Sequence, residues 1–101
     1  MSILIHQERP LSVSTTSGSW IGNTVSLRGI LKQVLIKSAT ESTMYDISLT
    51  NGQNDVVYRR TDVTGTLNEE IDLPITGVYT IGIVNATRDE VFTILLIIRE
   101  A

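Results

Sequence analysis

Pro74-Ile75-Thr76-Gly77-Val78-Tyr79-Thr80-Ile81-Gly82-Ile83-Val84-Asn85-Ala86-Thr87 is the stretch that decides the fold. A Pro and Gly turn feeds a run in which Tyr79, Ile81 and Ile83 share one face, the period-2 pattern of a half-buried strand. The run 43–50 repeats the pattern, with Tyr45, Ile47 and Leu49 alternating with Met44, Asp46, Ser48 and Thr50. Asn51-Gly52 follows and Asn54-Asp55 completes a loop of residues that tolerate left-handed dihedrals, so 43–60 reads as a hairpin.

Outward from these two runs, β-branched residues dominate and Gly, Asn, Asp and Pro punctuate short segments at the spacing of a sandwich or barrel. Strands are expected near 3–6, 11–16, 20–28, 30–37, 43–50, 55–60, 67–73, 78–84 and 91–99. The segment Ile30 to Lys37 is ambiguous, since Ile30, Leu31, Val34 and Leu35 also fit one face of a short helix. Strand is favoured, with Val34 and Ile36 inward, because the segment is too short for a stable isolated helix. The expectation is an all-β antiparallel two-sheet β-sandwich, jelly-roll-like, with about eight strands. Its core would hold Tyr45, Ile47, Leu49, Tyr79, Ile81, Ile83, Phe92, Ile94 and Leu96.

The chain has 101 residues, the size of one domain, so 1–101 is taken as a single sandwich. It has no cysteine, which removes disulfides, thiolate nucleophiles and thiolate metal sites. Net charge is −3 and the cations are scattered, with Arg59-Arg60 the one adjacent pair, so nucleic acid is not expected as a partner. Met1 to His6 is too short for a signal-peptide core, and Val91 to Ile98 falls far below the roughly 20 apolar residues of a spanning helix. A soluble protein with no membrane partner and no export address of its own is expected.

The last strand is unusual. Phe92, Ile94, Leu96 and Ile98 lie on one face, and Val91, Leu95 and Ile97 on the other with only Thr93 among them. A strand apolar on both faces is either covered by a loop or paired with another subunit, so Val91, Leu95 and Ile97 are the candidate subunit contact of a homo-oligomer.

No constellation of residues carries chemistry. His6 is the sole histidine and reads as a residue of a terminal strand. Asn51, Asn54 and Asp55 offer oxygen ligands without the spacing or bidentate Glu of a calcium loop. Glu70 and Asp72 share a face, which reads as solvated, with Glu69 beside them. Asn85-Ala86-Thr87 fits the glycosylation triplet but reads as a turn. A Ser nucleophile would need a positioned base, and Gly-x-Ser-x-Gly does not occur. No catalytic residue, metal site or cofactor is expected. Of the aromatics, Tyr45 and Tyr79 are assigned to the core, leaving Trp20 and Tyr58 as exposed rings that could stack on a sugar.

Thr43-Met44-Tyr45-Asp46-Ile47-Ser48-Leu49, Gly52, Val56-Val57-Tyr58 and Gly77-Val78-Tyr79-Thr80-Ile81 together resemble the bacterial pre-peptidase C-terminal type of β-sandwich, a small jelly roll. The likeness covers roughly the last sixty residues and rests on strand patterning. Ile36-Lys37-Ser38-Ala39-Thr40, Asp55-Val56-Val57-Tyr58, Leu67-Asn68-Glu69 and Asn85-Ala86-Thr87 before Phe92-Thr93-Ile94 are similar to short structural proteins of tailed-bacteriophage heads and necks. These include head decoration or cement proteins. That resemblance implies a non-enzymatic, multi-copy virion component, assembled in the host bacterial cytoplasm, whose partners are the major capsid protein or other virion proteins. It supplies no binding motif to place on particular residues. A carbohydrate-binding or adhesive sandwich is the second reading, and a receptor-binding or fibre-attached domain the third.

Overall fold

The computed structural model describes residues 5–7, 11–24 and 26–99. Among them there is no helix, hence none long and apolar enough to cross a membrane. Nine strands run in chain order: β1 (Ile5–Gln7), β2 (Leu11–Ser14), β3 (Trp20–Asn23), β4 (Leu27–Ser38), β5 (Met44–Thr50), β6 (Val56–Thr64), β7 (Leu67–Gly77), β8 (Thr80–Val84) and β9 (Val91–Arg99). β1 pairs with the far end of β9 and β2 with its beginning, so the two short strands lie end to end in one lane. The result is an antiparallel sandwich of two sheets with four lanes each, β1/β2-β9-β4-β7 and β3-β8-β5-β6.

The pairings are nested. β5 pairs β6, β4 pairs β7, β3 pairs β8 and β2 pairs β9, as in one long hairpin folded over on itself. The fold-over creates two further contacts, β4 with β9 and β5 with β8, which close the sheets. Each sheet turns its apolar alternates inward, and Leu31, Ile36, Tyr45, Ile83, Phe92 and Ile98 are the most deeply buried large side chains. The expected core residues all lie in this cluster. Tyr45 meets Phe92 edge to face at 4.9 Å and donates its hydroxyl to the Gly65 carbonyl at 2.7 Å. Burial pushes that phenol up to about 12. A residual void of about 10 Å³ between the sheets, lined in part by Val34, Ile47, Leu49 and Ile94, holds at most one water and no ligand.

Several expected boundaries shift, each for a visible reason. The segment 20–28 is not one strand: Thr24 exchanges hydrogen bonds with Tyr79, and the chain crosses between sheets there. Gly29 sits inside β4 rather than before it. Pro74 is not in the turn; it lies within β7, which tolerates a residue lacking an N–H because β7 is an edge strand. β6 runs on to Thr64. Residues 3 and 4 of the first expected strand lie outside the described residues.

The ambiguity over 30–37 has a structural origin. A bulge between Leu31 and Gln33 shifts the register of β4 against both neighbours, so inward positions change phase from Leu27 and Leu31 to Val34 and Ile36. An apolar pair three apart, Leu31 and Val34, is a helical spacing produced here by an extra strand residue.

One end of the sandwich is tied by side chains. Ser17 and Gly18, both with left-handed φ, direct consecutive N–H groups onto the Asp89 carboxylate at 3.1 and 2.8 Å, an anion nest filled from within. Glu90 accepts the Thr40 N–H at 2.8 Å, joining the 85–90 and 39–43 loops. Desolvation pushes the Glu90 carboxyl upward, but the Thr40 amide, the Thr40 and Thr43 hydroxyls and the Arg88 charge together outweigh it, and the net displacement is below the ordinary carboxylate range. A depressed folded-state value makes the charged form stabilising above the ordinary range, and that contribution is lost as pH falls through the depressed value. Glu90→Gln is therefore expected to melt below the parent at neutral pH. The gap should close on acidification, as thermal melts from pH 7 downward would register; a gap independent of pH would contradict this role.

Candidate functional site

The outward side of the β9 sheet is where the sequence places its candidate contact. Register brings Leu95 beside Leu35 of β4 and Ile97 beside Gln33, while Ile30 faces Arg99 and Pro74. Leu95, Ile97, Leu35 and Ile30 are each half-buried, forming one apolar stripe across the two central lanes. Val91 stands apart at the end of β9, opposite Ser14, and is 47% exposed. Leu95 and Ile97 thus belong together and Val91 only borders them.

Ile30 and Leu35 are members that sequence reasoning missed. Their outward direction depends on the bulge: without it, Ile30 and Leu35 would face opposite sides. The signal was present as the helix-like spacing, but only cross-strand register identifies it.

Charged side chains frame the stripe. Lys32 pairs with Asp72 across β4 and β7, which lowers the Asp72 carboxyl, and Glu70 lies exposed two residues before it. Glu70 and Asp72 therefore do share a solvated face. Arg28 and Arg99 occupy one end of the face and Lys37 the other. Lys32, Gln33, Glu70, Asp72, Ile97 and Arg99 line a shallow open groove beside the stripe. Because Leu95 is only half-buried, Leu95→Lys is expected to cost the isolated domain about 1 kcal/mol or less, measured by urea unfolding. A larger loss would place Leu95 in the core.

The expected pair of exposed aromatics is corrected. Tyr58 is 7% exposed and belongs to the core, where burial and then the neighbouring Glu69 carboxylate push its phenol up to about 12. Arg60 lies over its ring at 4.7 Å and forms a two-pronged ion pair with Glu69, Nε to Oε2 at 2.9 Å. That pair spans the open side between edge strands β6 and β7. Trp20 packs partly against the core with its ring over Gly22, where an added Cβ would come within 2.5 Å of it. β3 and β6 are opposite edges of their sheet, so Trp20 and Tyr58 build no common stacking platform.

The remaining candidates resolve into structure. Asn51 Oδ1 accepts the Gln53 and Asp55 N–H groups at 2.9 Å, closing its turn. Asn85 donates to Asp46 and Thr87 exchanges hydrogen bonds with the Met44 backbone, which sews the triplet into a loop. His6 lies in β1 opposite Ile98. Among the described residues no group of three or more His, Asp or Glu converges as metal ligands.

Three of the four edge lanes, β3, β6 and β7, are guarded. β3 has four residues, β7 carries Pro74 and three carboxylates, and β6 carries Arg59, Arg60 and a left-handed Asp62. Such edges resist the addition of a foreign strand, which favours contacts through faces and loops. No protein-family model and no curated protein matches this chain.

Proposed function

We propose that this domain is a non-enzymatic structural protein of a tailed-bacteriophage virion, a head decoration or cement protein that binds the capsid lattice. The observation that carries the reading is the outward face of the β9 sheet: an apolar stripe of Ile30, Leu35, Leu95 and Ile97 inside a charged frame, on a solidly packed scaffold with three of its four edge lanes guarded. An apolar centre with a polar rim is the layout of a protein–protein contact. The nested strand order supports a jelly-roll assignment, an architecture that recurs in capsid and lectin domains. The fold alone assigns no function; the face and the likeness to phage head proteins add the rest. A lattice of identical sites turns modest contacts into firm attachment.

Co-sedimentation with phage heads purified without this protein tests the reading. Saturable binding at a copy number commensurate with the icosahedral lattice is expected. Absence of binding to heads, together with retention on a polysaccharide column, would hand the function to a carbohydrate-binding module instead.

A further inference from the structure

We infer that the partner of the β9 face is an acidic surface of a different protein with an apolar contact of its own, and not a second copy of the same face. This rests on the virion reading and specifies its docking chemistry. Among the described residues the face carries Arg28, Lys32, Lys37 and Arg99 against Glu70 and Asp72, four cations to two carboxylates. That is a balance of +2 in a chain of net charge −3, so the rest of the chain carries −5. An acidic protein has gathered its excess positive charge around its apolar stripe.

The placement of these charges argues against a symmetric dimer. Both carboxylates sit at mid-height in the β7 edge lane, and Asp72 is already engaged by Lys32. Arg28 and Arg99 hold one end of the two central lanes and Lys37 the other. A two-fold axis parallel to the strands between β4 and β9 sets the Arg28 and Arg99 end against itself. A two-fold across the strands sets it against Lys37. In either arrangement the described residues that meet at the ends of the stripe are cations without a facing carboxylate, and like charges facing each other across an interface oppose association. An acidic partner removes the conflict while the stripe supplies the apolar contact.

The test uses heads purified without this protein, with binding followed by co-sedimentation across a salt series. Arg28 and Lys37 are exposed, so Arg28→Glu and Lys37→Glu leave the fold intact, as melting temperatures equal to the parent would verify. Each reversal is expected to weaken head binding about tenfold at low salt, and added salt should weaken the parent more than the variants. The free protein should sediment as a monomer at low salt. Binding that persists undiminished in both variants, or a free dimer that Leu95→Lys dissociates, would overturn this inference and leave the virion reading standing. No binding of the parent to heads would overturn both.

Discussion

Phe92→Ala is expected to destabilise the domain by about 3 to 5 kcal/mol, a large share of what a domain of this size possesses. Phe92 is fully buried on β9, the strand that contacts β1, β2 and β4, and its ring meets Tyr45 from the opposite sheet. Truncation removes one of the contacts joining the two layers and leaves a cavity that rigid strands cannot fill by collapse. Urea unfolding monitored by circular dichroism measures it. A loss under about 1 kcal/mol would mean that the layers are held together elsewhere.

Gly65→Ala should be nearly as damaging, at about 2 to 5 kcal/mol, although it adds a single methyl group. Gly65 has φ +70°, which a side chain disfavours, and a Cβ there would come within 2.6 Å of the Glu41 carbonyl oxygen. The obstacle is backbone and cannot swing aside. Gly65 also receives the Tyr45 and Ser38 hydroxyls on its carbonyl and donates its N–H to Thr43, so displacing it loosens the β6–β7 crossing and the 39–43 loop together. Gly77, with φ +101° but open space around its would-be Cβ, is the control: Gly77→Ala should pay only the conformational strain. Equal losses at the two positions would contradict the steric account.

The contrast between these glycines marks what the chain discloses by itself. Strand identity and core membership were legible because period-2 patterning is local: Tyr45, Ile47, Leu49, Tyr79, Ile81 and Ile83 needed no partner to declare their face. The apolar second face of β9 was legible for the same reason. What stayed hidden depends on pairing. The bulge near Lys32, which turns Ile30 and Leu35 outward beside Leu95 and Ile97, exists only in register with β7 and β9. Tyr58 was misjudged as exposed because its strand, with Arg59 and Arg60 beside it, looks solvated; Arg60 in fact lies over the ring and covers it. Pro74 looked like a turn residue because its edge position is a property of the sheet, not of the sequence around it.

The central claim, that the β9 face is the contact surface, is tested most directly by hydroxyl-radical footprinting of the protein free and bound to heads. Leu35, Leu95 and Ile97 should lose labelling on the particle, while Ile21 and Met44, exposed on the opposite sheet, keep theirs. Protection of Ile21 and Met44 with undiminished labelling of Leu95 and Ile97 would contradict the account.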